Sequence, residues 1–589
     1  MISLINEIQK RFQVACSRAF DSDFANIDML IRPAQDEKFG DYQSNLAMSL
    51  AKQLKKQPRE IAQQIIQNLQ IDDICEEPKI AGPGFINLTL KPDWLANRVK
   101  QLIGNKRLGI SETANPKNII VDYSGPNIAK QMHVGHLRST ILGDVIARVL
   151  EFLGENVIRQ NHIGDWGTQF GMLIAYLVEQ SDNDSENTDF HISDIEEFYK
   201  QANKRFNEDE NFANRARNWV VKLQSGDEQA LKLWEKFREE SLKHCQKIYD
   251  MLNVKLTSKD IRGESFYNNM LPEIVNELIN KKIAVEDDGA ICVFLQQFKA
   301  KDGSPLPVLI RKSDGGFLYA TTDLAAIKFR VNELKAHKII YVTDARQKLH
   351  FEQVFAVAHK AGWDIHPITK NPVSLEHITF GSILGEDGKP LKTRSGENVK
   401  LTELLNEAVE RAKLIVERKN PNLSNEEQNN IARVVGISAI KYADLSQSRT
   451  SDYIFSFDKM LAMEGNTAPY MLYAYARIKS IERKGNIKFD ELPNKTEIVL
   501  IAPAEIKLTK KLMQFPDAII DVSKNFRPNI ITTYLYELSQ IFNNFYENCP
   551  VLKADNETLK TSRLSLCDLT ARTLKLGLEL LGIETLEQM

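Results

Sequence analysis

Two histidines three residues apart, His133 and His136, stand between an apolar run, Ile119-Ile120-Val121-Asp122-Tyr123, and a segment in which Leu137, Ile141, Val145 and Val149 recur at helical spacing. A strand giving way to a helix leaves unpaired N–H groups and positive dipole at the helix N-terminus, a natural place for an anion. Residues three apart share one side of the first turn, and Gly135 between them lets a ligand approach the backbone. The chemistry offered is the holding of nucleotide phosphates. On these residues alone two other readings stay open: a pair of satisfied loop histidines, or two zinc ligands, although no third ligand follows at a recognisable spacing.

The elements able to position such a site are strand-like runs separated by helices. Residues 157–160 form a second run that ends in the Gly-rich turn Asn161-His162-Ile163-Gly164-Asp165-Trp166-Gly167. Further short β-type runs follow at Ile339-Ile340-Tyr341-Val342 and Ile378-Thr379-Phe380. The pattern predicts an α/β fold, a doubly wound parallel sheet of Rossmann-like type over 115–400. Its ligand would lie at the carboxyl ends of the strands, where His133, Asp344 and Gly381 fall.

Ahead of it, 1–110 reads as a small α+β unit, with helical periodicity through Leu4, Ile8 and Phe12 and a strand-like stretch at 84–90. Residues 180–260 read as a polar helical insertion, with 181–187 as an exposed loop. Residues 401–459 form a helical connecting region and 460–589 an all-helical unit.

The length, 589 residues, exceeds what one core supports. A content of 43% hydrophobic and 26% charged residues is that of an ordinary globular chain. Net charge is −3, and residues 460–589 balance 16 basic against 16 acidic side chains, so any polyanion must be met by local patches. Six scattered cysteines without a Cys-x-x-Cys pair fit reduced thiols. No apolar run reaches the ~18 residues of a membrane span. The first residues carry Glu7, Asp21 and Asp23, unlike a transit peptide. The expected compartment is the cytosol, and no membrane partner is expected.

The string Pro126-Asn127-Ile128-Ala129-Lys130, then His133-Val134-Gly135-His136-Leu137-Arg138-Ser139, resembles the HIGH-type signature of class I aminoacyl-tRNA synthetases in the form seen in arginyl-tRNA synthetases. The resemblance implies a ligase that activates L-arginine with ATP and Mg2+ and passes it to tRNA-Arg; a monomer is expected, and no structural metal, since the histidines and cysteines lack closed-site spacing. His133 and His136 would serve the phosphates with Lys130, and Gly135 and Gly381 would line the ATP site. Pro390-Leu391-Lys392-Thr393-Arg394 lies over the family's mobile KMSKS loop, although on residue types alone it is a turn with a solvated rim. Thr393 falls where a catalytic lysine belongs, and the resemblance implies that the charge comes from Lys130, just ahead of the histidine pair, with Lys392 and Arg394.

A guanidinium, with five donors and no acceptor, needs carboxylates and an aromatic face. Tyr319 and Asp323 resemble the family's Tyr-x-x-x-Asp element. By residue type alone Asp323 would be the N-cap of a helix starting at Leu324, and Tyr319 a strand aromatic. Glu264 matches a further acidic position of the family, and Asn127 and Gln347 the residues on the substrate's α-amino and carboxylate groups. An acidic pocket of this kind needs no editing domain.

Tyr42 and Asn45, in Gly40-Asp41-Tyr42-Gln43-Ser44-Asn45, resemble the N-terminal segment that meets the outer corner of the tRNA. Tyr470, Tyr473 and Arg477 fall in what looks like the family's anticodon-binding domain, although aromatics at helical spacing are commonly core. Two rivals remain at this stage: a small-molecule nucleotidylyltransferase or amide ligase of the same histidine group, and a non-catalytic tRNA-binding scaffold.

Overall fold

Four runs rich in Ile and Val make one parallel sheet. In a computed structural model that describes residues 4–20, 24, 26–183, 195–392, 398–492 and 497–589, Asn118–Asp122 pairs with Asn156–Gln160 on one side and Lys338–Asp344 on the other. Ser374–Phe380 extends the sheet beyond Lys338–Asp344, so the spatial order is fourth, third, first, second. Strands covered on both faces need apolar residues at consecutive positions. Accordingly Ile119 and Val121 join the core around helix Val134–Phe152, while Ile120 joins the core formed by helices Leu271–Asn280, Tyr319–Asn332 and Lys348–Ala361. The winding reverses between the first and third strands, and a crevice therefore opens beside Asp122 and Asp344.

Helices Thr168–Asn183, Ile195–Glu208, Glu210–Gln224 and Glu228–Met251 pack together as the insertion. Residues 181–183 complete the first of these helices rather than forming a loop, and 184–187 lie outside the described residues. A small antiparallel sheet of Val285–Asp287, Ala290–Val293 and Val308–Arg311 follows, which the sequence reading did not name. Its signal was the pair Asp288-Gly289, whose positive φ values of 46° and 76° make the tight two-residue hairpin turn.

The N-terminal unit sets a four-stranded antiparallel sheet against helices Leu4–Phe20, Leu46–Leu54 and Pro58–Asn68. From Leu401 onward the described chain is helical apart from Tyr453–Ile454, which pairs with Ile383–Leu384. The N-terminal unit docks on these last helices. Lys510 reaches Asp41 at 2.7 Å, and Arg572 donates to the carbonyls of Asn105 (3.0 Å) and Leu102 (3.4 Å). Among the described residues no helix is long and apolar enough to cross a membrane.

Candidate active site

At the crevice lies a cavity of about 550 Å3. His133 is the N-cap of helix Val134–Phe152, and its Nδ1 accepts the N–H of Gly135 at 3.1 Å. His136 Nδ1 accepts the N–H of His133 at 3.2 Å, and the two rings lie 4.1 Å apart. A Cβ on Gly135 would stand 2.8 Å from His133 Cε1, so only glycine lets this ring fold over the first turn. Burial, then the charge of His133, holds His136 down to about 3, and burial with Lys130 and Arg346 also lowers His133. Both imidazoles are therefore neutral at pH 7. Because each Nδ1 is an acceptor, each ring carries its proton on Nε2. The result is two uncharged donors at a helix N-terminus, which suits an anionic ligand that already brings its own cations.

The backbone around them is tightly held. Ser124, at φ 71°, donates its N–H to Ser139 Oγ (2.9 Å), which in turn donates to the Val342 carbonyl (2.6 Å). Asn127 bridges to Gly164 of the Gly-rich turn, and Asn127 Oδ1 accepts from the N–H of Ala129. Arg138, two residues past His136, is buried against Asp444 at 3.1 Å and donates to the Ser451 carbonyl, tying the helix to helix Asn425–Leu445.

The far end of the cavity is acidic. Helix Tyr319–Asn332 starts at Tyr319 with Leu318 as its N-cap, so Tyr319 is not a strand residue and Asp323 is not a cap. Their spacing of four residues places both on one helical face, and both line the cavity. Asp323 Oδ2 lies 2.6 Å from His350 Nε2, and Oδ1 lies 4.0 Å from His162 Nε2. Glu264 opens the short helix Glu264–Tyr267. Burial, then the charges of Asp165 and Asp323, pushes its carboxyl up to about 8. Asp165 also accepts from Ser265 N–H and Oγ and from Arg238, which fixes the Glu264 turn. Gln347, in the single turn Ala345–Gln347, lines the same space, as does Asn127.

Other expected residues sit elsewhere. Gly381 does not line the cavity: its Cα packs on the next loop, where a Cβ would stand 2.6 Å from Asp452 Oδ1, and Phe380 takes its place at the wall. Lys130 is exposed, with Nζ 5.0 Å from the centre of the Tyr199 ring. Lys392 is exposed and paired with Asn398, while Thr393 and Arg394 lie outside the described residues. Tyr42 is 1% exposed, packed in the N-terminal core beside Gln514 and Asp517, and so cannot offer its ring to RNA. Asn45 immediately precedes helix Leu46–Leu54 and is half-buried.

Tyr473 is exposed, whereas Tyr470 and Arg477 both bond Asn543 (2.8 and 3.3 Å) and Arg477 lies over Tyr546. Sequence reasoning assigned no role to His162, His350 or Arg346, all of which line the cavity. His162 belongs to the Gly-rich turn and Arg346 and His350 flank Gln347, but only the packing of separate strand ends shows that they converge.

A doubly wound sheet with a histidine pair at the N-terminus of the first crossover helix, joined to an all-helical C-terminal unit, is the architecture of a class I aminoacyl-tRNA synthetase. Residues 98–457 match the family described as tRNA synthetases class I (R), catalytic domain. Residues 6–90 match the arginyl tRNA synthetase N terminal domain and 471–589 the DALR anticodon binding domain. The chain belongs to the arginyl-tRNA synthetases. It is 55% identical to the arginine–tRNA ligase of Crocosphaera subtropica, with all of both chains covered. Against that of Haemophilus influenzae it is 52% identical over 95% of this chain and 96% of the relative. The crystal structure of arginyl-tRNA synthetase from Plasmodium falciparum superposes with a TM-score of 0.86 at 36% identity, covering 100% of both chains. The Thermus thermophilus arginyl-tRNA synthetase shares the fold, with a TM-score of 0.81 at 24% identity, covering 99% of this chain and 100% of the other.

Proposed function

We infer that this chain activates L-arginine with ATP and transfers the arginyl group to the terminal adenosine of tRNA-Arg. The observation that carries the reading is one cavity with two neutral imidazole donors at a helix N-terminus at one end and Glu264, Asp323 and Tyr319 at the other. In activation the arginine carboxylate oxygen attacks the α-phosphorus, the bond to the bridging oxygen breaks, and pyrophosphate leaves with the electron pair. Little covalent work falls to the protein, and positioning and charge stabilisation carry the rate.

His133 and His136 donate from Nε2 to the phosphates. Asp323 and Glu264 meet the guanidinium, with Tyr319 on its face, and Asn127 and Gln347 hold the α-amino and carboxylate groups. A neutral side chain would leave Asp323 and Glu264 without a cationic partner, which rejects it strongly. Lys130 and Lys392, both exposed, and Arg394 supply the positive charge that the histidines lack once tRNA and ATP are bound. Magnesium travels with ATP as part of the substrate complex. Among the described residues no group of three His, Cys, Asp or Glu side chains is arranged for a metal.

We propose the following division of labour: 1–110 touches the tRNA corner, 115–400 performs catalysis, 401–459 connects, and 460–589 reads the anticodon through exposed Tyr473 with Tyr470 and Arg477 beside it. A cytosolic location fits the six free, buried cysteines, which suit a reducing compartment, and we propose a monomer. The test is pyrophosphate exchange with each amino acid in turn, with and without tRNA. Exchange with arginine alone among them is expected, and exchange with a neutral amino acid at a comparable rate would overturn the reading.

A further inference from the structure

Asp323 has a companion that the reading above leaves without a task. His350 lies in the first turn of helix Lys348–Ala361, which packs against helix Tyr319–Asn332, and its Nε2 stands 2.6 Å from Asp323 Oδ2. The imidazole is held in turn by Phe351, edge-on at 5.3 Å between ring centres. On the other oxygen the nearest imidazole nitrogen, His162 Nε2, is 4.0 Å away, beyond hydrogen-bond reach. The carboxylate of this cavity-lining residue is thus bonded on Oδ2 from a neighbouring helix, while Oδ1 has no imidazole within hydrogen-bond reach. An aspartate free to rotate about its two side-chain torsions would offer many orientations to a planar donor fork.

We propose that His350 is a positioning residue for the amino-acid substrate. By donating Nε2–H to Asp323 Oδ2, it fixes the plane of that carboxylate so that Oδ1 and the outer lone pair of Oδ2 meet the guanidinium. Arginine affinity depends on this bond; adenylate formation does not. The inference rests on Asp323 being the guanidinium partner.

The experiment is tRNA-supported pyrophosphate exchange by the full-length protein, as wild type, His350→Leu, His350→Gln, Asp323→Asn and the Asp323→Asn/His350→Leu double variant. Leucine keeps bulk without a donor, and glutamine restores an N–H donor. His350→Leu is expected to raise KM for arginine about tenfold while kcat and KM for ATP stay within about twofold. His350→Gln should recover most of that loss, and the double variant should be no worse than Asp323→Asn alone. An unchanged KM in His350→Leu, no recovery in His350→Gln, or equal damage to KM for ATP and kcat overturns the proposal. Should His350→Leu fail to fold, His350→Phe, a ring without a donor, takes its place: the same rise in arginine KM is expected, and an unchanged KM overturns the proposal. If Asp323→Asn itself leaves arginine KM untouched, the guanidinium assignment fails; if it alone impairs binding, only the role of His350 fails.

Discussion

Arginine binding should release a proton from Glu264. With its carboxyl pushed up to about 8, roughly one molecule in eleven has Glu264 ionised at pH 7. A guanidinium has donors only, so it favours the ionised carboxylate over the acid. The apparent dissociation constant then equals the intrinsic one divided by the ionised fraction. That fraction is about one half at pH 8 and about one hundredth at pH 6, so arginine should bind about fifty-fold more weakly at pH 6. The sign follows from the raised pKa: the competent form is lost as pH falls below about 8. His136, held down to about 3, contributes no such limb.

Calorimetric titration of arginine into the protein at pH 7, in two buffers of different ionisation enthalpy, should show about 0.9 proton released per arginine bound. In Glu264→Gln both the proton release and the pH slope should vanish while affinity drops. Arginine affinity independent of pH between 6 and 8 in the wild type, with no proton release, would refute the reasoning.

Asp323→Asn removes the charge at constant shape and should cost about 2–5 kcal/mol in kcat/KM for arginine, with KM for ATP little changed. Pyrophosphate exchange at saturating arginine and ATP should require tRNA, because the loop lacks its usual lysine and Lys130 rests on Tyr199; equal rates with and without tRNA would sink this. Lys130→Ala should lower the tRNA-supported rate at least about tenfold, roughly 1.4 kcal/mol. Arg138→Leu leaves the Asp444 charge buried and unpaired, and should destabilise the protein by about 3–5 kcal/mol in denaturant unfolding.

The histidine pair, the four parallel strands and the helical C-terminal unit were legible because each rests on a local pattern: strand–turn–helix chemistry, consecutive apolar residues, or 3.6-residue periodicity. Tyr319 and Asp323 were found as residues but set in the wrong element. Thr321 and Thr322 look like the end of a strand, yet both are buried within the helix by packing against the sheet. His162 and His350 were given no role, since Asp323 lies apart from both in sequence and only the fold brings the three together. Gly381 and Tyr42 sit apart from open cavity or surface for the opposite reason. Their types suit a site, but a neighbouring loop covers one and a helix of the C-terminal unit covers the other.

The docking of the first hundred residues onto the last helices has a consequence for synthesis. The bonds from Arg572 to Leu102 and Asn105 span up to 470 positions, and Asp41 waits for Lys510. At about 5–20 residues per second, the partner surface emerges from the ribosome roughly 25 to 95 seconds after the segment it must cover. During that interval the face carrying Asp41 and the Leu102–Asn105 carbonyls stands uncovered, open to proteases and to other nascent chains. Translation speed through the intervening residues thereby sets how long this newborn enzyme stays vulnerable.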